Sequence, residues 1–177
     1  MNSMSMSVAI EAPISAGARL TYEEYRQLPD DENRYELIEG VLYVSAAPLR
    51  IHQKISMNFS WEISSWCRKT RGGEVYAAPI EMHPAGDVAA QPDLFFVSKS
   101  RLGLFRDDGA CYAGAPDLVI EILSPSNRRV DLETKKSMYE RVGVSEYWIA
   151  DPLAHRLYVY RRGDGGRHDD GDSRRRH

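Results

Sequence analysis

Glu121 stands inside the apolar run Leu118-Val119-Ile120-Glu121-Ile122-Leu123, whose length and branching predict a strand buried on both faces. An ionised carboxylate in that position needs a cation, a metal ion or a raised pKa. The helix predicted next offers a partner. At about 100° per residue, Leu132, Tyr139 and Val142 form one apolar stripe and Lys135 falls within it, whereas Lys136 lies to one side. A third charge sits where a strand begins, because Pro92-Asp93 precedes Leu94-Phe95-Phe96-Val97. Neighbouring strands lie about 4.8 Å apart, so Asp93 and Glu121 at matching depth can share one divalent cation. Lys135 beside them can orient or deprotonate a water and offset charge on an attacked phosphoryl oxygen. That is chemistry for metal-assisted phosphodiester hydrolysis. The bland alternatives are a structural ion pair between Glu121 and Lys135 and a turn or capping role for Asp93.

Around these residues the chain predicts alternating strands and helices. Thr21 and Glu24 have capping-box spacing and open a short helix that Pro29 closes. The stretch Arg34 to Ser45 reads as a hairpin about Glu39-Gly40, with Glu36 and Ile38 sharing a face that can point inward. An edge carboxylate in solvent is the competing reading for Glu36. Ile51, Ile55, Phe59, Ile63 and Trp66 are spaced as the longest helix, ended by Gly72-Gly73 and expected to cover the sheet. His52 falls in its first turn, where the helix terminus disfavours an imidazolium but can orient a neutral ring; a surface or structural histidine is the ordinary alternative. Glu74–Met82 and Ala89–Val97 read as two strands, Ser98–Gly114 as a connection with a short helix, and Glu146–Ala150 and Arg156–Tyr160 as the last two strands. Asp117 lies about 13 Å from Glu121 along its strand and is assigned a structural role. Asp131 reads as an N-cap, Ser124 to Asn127 as a turn, and Tyr147-Trp148 as packing or interface.

A length of 177 residues is that of one domain with a real core. The two cysteines are far apart with no CxxC or paired histidine, which argues against a zinc site and a disulfide framework. The N-terminus lacks a basic region followed by an apolar one, and no run approaches a membrane span, so a cytoplasmic protein is expected. Removing the Arg- and Asp-rich stretch 161–177 leaves 17 Lys and Arg against 22 Asp and Glu. So acidic a body argues against strong electrostatic capture of nucleic acid. It still allows a local groove, or a metal that supplies the positive charge.

Six segments, LTYEEYRQLP, RYELIEG, Pro48 to Ser56 with its histidine, QPDLFFV, APDLVIEILSPS and DLETKKSMYERVGVSEYWIADP, together resemble the Uma-type endonucleases of the restriction-endonuclease-like PD-(D/E)XK superfamily. The resemblance runs in order from Leu20 to Tyr160. It implies an α/β restriction-endonuclease-like fold, with a mixed, curved central sheet of about six to eight strands flanked by the Ile51 and Leu132 helices. The domain is expected over 19–160; the N-terminal sequence itself predicts a loose arm over 1–18, and the lack of apolar residues predicts a disordered polar tail over 161–177. The superfamily's metal-binding aspartate falls on Asp93 and its acidic partner on Glu121. The usual lysine two positions later is absent, since Leu123 stands there, and Lys135 matches a lysine displaced to the next helix. Glu36 and His52 match further site positions, as an auxiliary ligand or water-orienting group and as a phosphate or water contact. The implied activity is Mg²⁺- or Mn²⁺-dependent cleavage of DNA by a homodimer. The alternative is a catalytically silent nucleic-acid-binding or protein-interaction module on the same fold. This chain departs from the family beyond Leu157–Val159, where ordered sequence gives way to GDGGRHDDGDSRRRH.

Overall fold

The computed structural model describes residues 16–31, 33–45, 48–106, 111–125, 128–163, 168–170 and 174–175. The first fifteen residues of the expected arm therefore lie outside the described residues, as do Ser126 and Asn127 of the expected turn. Where description begins, the backbone is already tied down, with Gly17 N–H donating to Leu42 and Leu42 N–H donating to Ala18.

Helix α1 is the single turn Tyr22–Tyr25, and the predicted capping box is present, with Thr21 and Glu24 each accepting from the other's backbone N–H. Strands β1 (Arg34–Ile38) and β2 (Val41–Ser45) form the hairpin. Both turn residues, Glu39 and Gly40, have positive φ (53° and 73°), the conformation a two-residue turn requires to match strand twist. Helix α2 spans Arg50–Thr70. Ile55, Phe59 and Ile63 pack on a cluster built from Leu94, Ile120, Ile122 and Ala150, while the ends of its apolar stripe, Ile51 and Trp66, remain half exposed.

One expectation fails in an instructive way. The two segments read as single strands are each broken at a proline. Glu74–Met82 becomes β3 (Gly73–Ala77) and β4 (Glu81–Ala85), separated by Pro79. Ala89–Val97 becomes β5 (Val88–Ala90) and β6 (Leu94–Ser98), separated by Pro92. Proline has no N–H to give to a ladder, and at both breaks the chain changes sheet. The structure accordingly holds two mixed sheets instead of one. After a 3₁₀ turn over Lys99–Leu104 come β7 (Cys111–Tyr112), β8 (Leu118–Ile122), a π-helical turn Val130–Lys135 running into α3 (Lys136–Val142), then β9 (Glu146–Asp151) and β10 (Arg156–Arg162). Two short strands follow, β11 (His168–Asp170) and β12 (Arg174–Arg175). One sheet has the order β2-β1-β5-β4-β7 and the other β11-β10-β9-β8-β6-β3, with β12 also on β10. The segment expected to be unstructured thus contributes backbone pairing at an open sheet edge, which needs no apolar side chains.

β8 and β9 run parallel with the π turn and α3 as their crossover, so the helix lies over the sheet and its buried face, Met138 and Tyr139, enters the main core. On the far side of that sheet, a groove of about 1420 Å³ runs between α2 and the β9–β10 hairpin, lined by Phe59, Trp61, Trp66, Trp148, Leu157 and Val159 among others. No described helix is long and apolar enough to cross a membrane.

Candidate active site

The seam between the two sheets is where the charges gather. β1 of the five-stranded sheet brings Arg34 and Glu36, alternate residues on one face. Asp93 sits at the proline break through which the chain passes from one sheet to the other. β8 of the seven-stranded sheet brings Glu121, α2 brings His52, and the π turn brings Asp131 and Lys135. Glu36, Asp93, Glu121, Asp131 and Lys135 are all between 2% and 6% exposed.

Lys135 Nζ is the hub. It donates to Glu36 at 2.9 Å and to Glu121 Oε1 at 3.0 Å, and lies 3.6 Å from Asp131 Oδ1. Asp93 is held from three directions. Arg34 Nη1 donates to Oδ1 at 2.9 Å, His52 Nε2 lies 2.8 Å from Oδ2, and the Ile122 N–H donates to Oδ2 at 2.8 Å. The Asp93 N–H in turn donates to Glu121 Oε2 at 3.3 Å, so the residue that leads into β6 is tied to the neighbouring antiparallel strand β8. Gln91 N–H donates to Glu36 Oε1, and Tyr139 OH to Glu121 Oε1 at 2.7 Å.

Burial and charge divide the four carboxylates into two kinds. For Glu36 and Asp93, burial opposes ionisation but is outweighed. Lys135 and Arg34 hold Glu36 below the usual carboxylate range, and the His52 hydrogen bond with the Arg34 charge does the same for Asp93. For Glu121, burial dominates; Lys135 opposes it, but Asp93, Asp131 and Glu36 add to it, and the pKa is pushed up to about 8. Asp131 is raised to about 6, again chiefly by burial, with Glu36 and Asp93 contributing. Lys135 stays charged, since its three carboxylates more than offset the burial that disfavours its ammonium. Four carboxylates face two permanent cations, and burial together with the surplus negative charge pushes the Glu121 and Asp131 pKa values up.

All five residues singled out in the sequence, Asp93, Glu121, Lys135, Glu36 and His52, stand together here. Two members were missed. Asp131 is no N-cap; it lies within the helical segment, buried and facing Lys135, and the i,i+4 spacing of the two was the available signal. Arg34 shares a strand face with Glu36, and the alternation that turned Glu36 inward applies equally to it. Asp117, by contrast, is tied away from the cluster by Arg101 and the Ser98 N–H, and Asp151 caps the β9–β10 turn through the Leu153 and Ala154 N–H groups.

A sequence model of the Uma2 family, described as "Putative restriction endonuclease", matches residues 22–171. The chain belongs to the Uma2 family. A crystal structure described as a putative nuclease belonging to DUF820 from Anabaena variabilis ATCC 29413 superposes with a TM-score of 0.75 at 24% identity, covering 89% of this chain and 85% of that one. At that identity the likeness is one of fold, and it carries the α/β restriction-endonuclease-like architecture to this Uma2 member in its two-sheet form. No curated protein matches the chain.

Tyr139 supplies a test of how tightly the Uma2 cluster is wired. Tyr139→Phe removes one donor to Glu121 while keeping the ring in the core, and is expected to lower stability by about 1–2 kcal/mol. It also withdraws a hydrogen bond to the charged form, so the Glu121 pKa rises further. Urea denaturation and a carboxyl ¹³C titration of Glu121 check the two halves.

Proposed function

We propose that this Uma2 protein is a divalent-metal-dependent endonuclease that hydrolyses phosphodiester bonds of DNA. The observation that carries the reading is the buried charge imbalance at the seam: four carboxylates against Lys135 and Arg34, with Asp93 and Glu121 cross-linked at its centre. The donor set fits a hard cation. Its ligands are carboxylate oxygens, and Mg²⁺ is commonly held by one or two carboxylates, its remaining positions going to waters and substrate phosphate. Asp93 and Glu121 would hold the ion, which when bound supplies an activated water and a counter-charge for the phosphoryl group.

The remaining work belongs to the chain's own residues. Lys135, fixed by Glu36, Glu121 and Asp131, is charged at neutral pH and serves to orient a water and to offset developing negative charge. Glu36 positions Lys135. His52, 16% exposed on its side chain and hydrogen-bonded to Asp93, is the contact for a phosphate or water. Family resemblance also implies a homodimer, and the exposed Met57 and Trp61 on α2, 72% and 68% accessible, offer apolar surface for it. Sedimentation equilibrium tests that point.

The deciding experiment is cleavage of supercoiled plasmid by purified protein with Mg²⁺ or Mn²⁺. Asp93→Ala and Lys135→Ala are each expected to lose at least about a hundredfold in rate; equal activity in both variants sinks the mechanism. A second reading, a silent nucleic-acid-binding module, has one observation in its favour. Among the described residues no group of three or more His, Cys, Asp or Glu side chains is arranged to hold a metal ion. Calorimetric titration with Mn²⁺ separates the readings, since a silent module gives no heat that depends on Asp93 and Glu121.

A further inference from the structure

Arg34 enters the cluster with donors left over. Among the described residues, its Nε and Nη2 are the buried side-chain nitrogens with no hydrogen-bond partner. Nη1 donates to Asp93 Oδ1 at 2.9 Å, but Nη2 stands 3.9 Å from Glu36 Oε1, beyond hydrogen-bond range. A guanidinium offers five N–H donors in a rigid fork, and here one edge of the fork is used. Buried donors without partners are unfavourable, so Arg34 is poorly satisfied as a permanent structural anchor.

The two cations of the cluster are held very differently. Lys135 is gripped by Glu36 and Glu121, faces Asp131 as well, and projects from a helix into the core. Arg34 keeps a single hydrogen bond, and its side chain is 22% exposed. The oxygens of Asp93 differ in the same way. Oδ2 is bound by the Ile122 N–H and His52, one of them backbone and immovable, while Oδ1 is held by Arg34. The removable donor and the releasable oxygen are partners.

We propose that Arg34 is an exchangeable counter-cation, which neutralises Asp93 in the metal-free protein and gives up Oδ1 when a divalent cation enters the cluster. The inference rests on the metal-dependent reading of the site. Its physical content is competition. A guanidinium on Asp93 repels and excludes an incoming cation, so its removal strengthens metal binding, just as a neighbouring cation weakens protonation of an Asp by a factor of ten or more. A residue with a purely structural role would give the opposite result, because losing it would loosen the site.

The test is calorimetric titration of the full chain with MnCl₂, comparing the native protein, Arg34→Gln and Asp93→Ala. Arg34→Gln is expected to bind Mn²⁺ about tenfold more tightly than the native protein, and Asp93→Ala to lose binding. Equal or weaker binding by Arg34→Gln, with loss in Asp93→Ala, overturns the exchange while leaving the metal site standing. Absence of Mn²⁺ heat in the native protein overturns the metal reading and the exchange together. Should Arg34→Gln fail to fold, the native protein still decides. On titration with Mg²⁺ the Arg34 Nε–H resonance of ¹⁵N-labelled chain is expected to move to the position of solvent-exposed arginines, and an unmoved resonance overturns the proposal.

Discussion

Lys135→Met is expected to abolish plasmid cleavage and at the same time to lower folding stability by about 3–5 kcal/mol, the usual penalty for removing one partner of a buried charge pair. The size follows from what is left behind. Without the ammonium, Glu36, Glu121 and Asp131 face one another in the core, and Arg34 remains the permanent cation nearby. The variant must take up protons or open to water, and either route weakens the fold. Lys136→Met is the matched control. Lys136 Nζ sits 4.0 Å over the Tyr160 ring, an interaction worth about 0.5–1 kcal/mol at a partly exposed site, and cleavage is expected to survive its loss. Adding Glu121→Gln to Lys135→Met is expected to recover part of the stability, because one unpaired carboxylate is removed, while cleavage stays absent. Guanidinium denaturation and a plasmid nicking assay on the three variants check each part. A Lys135→Met protein as stable as the native one would show that the buried charges are better hydrated than their exposure indicates.

The second large effect is a fall in stability of the metal-free protein from mildly acidic to mildly alkaline pH. Its direction follows from the split among the carboxylates. Glu121 and Asp131 have folded pKa values of about 8 and about 6, above their ordinary range, so the folded state binds more protons than the unfolded chain in that interval. The stability they contribute is complete below the ordinary carboxylate range and is lost as pH rises towards 8. Glu36 and Asp93 are shifted the other way, and their contribution is present above the ordinary range and lost as pH falls through it. Lys135 remains protonated across the whole interval. The two trends place the stability maximum near about pH 4, with a decline on the order of several kcal/mol by pH 8. Glu121→Gln, a neutral shape match, is expected to flatten the limb between pH 6 and 8 and to leave a residual slope below pH 6 from Asp131. Denaturation midpoints at half-unit intervals from pH 4 to 9 measure it. A native profile that is level between pH 5 and 8 would mean that Glu121 is ionised throughout.

Much of this site could be read from the sequence because buried charge in apolar surroundings is rare enough to be conspicuous. Glu121 interrupted a strand, Lys135 interrupted a helix stripe, and Asp93 opened a strand rich in aromatic residues. The choice of Lys135 over Lys136 assumed ideal helical spacing, whereas Val130–Lys135 is a π turn. The assignment is insensitive to that error because Lys135 adjoins the regular helix carrying Tyr139. Asp131 escaped because an acidic residue at the start of a helix has an ordinary explanation in capping. Arg34 escaped because a charged first residue of a strand normally faces water. The division into two sheets was signalled by Pro79 and Pro92, but the apolar runs around them dominated the strand reading. What no local pattern could convey was that the break at Pro92 places Asp93 between sheets, within reach of residues from both.

That placement has a consequence for how the protein is made. Arg34 meets Asp93 across 59 residues of chain, and Lys135 meets Glu36 across 99. Contacts so distant in sequence form late, after long loops have closed. The π turn and α3 also form the crossover between β8 and β9, so Lys135 is seated only once the strand Glu146–Asp151 has been synthesised and paired. A ribosome that has joined the first 130 residues has added Glu36, Asp93 and Glu121 to the chain but neither Asp131 nor Lys135. The cluster of buried charges therefore closes only with the final strands.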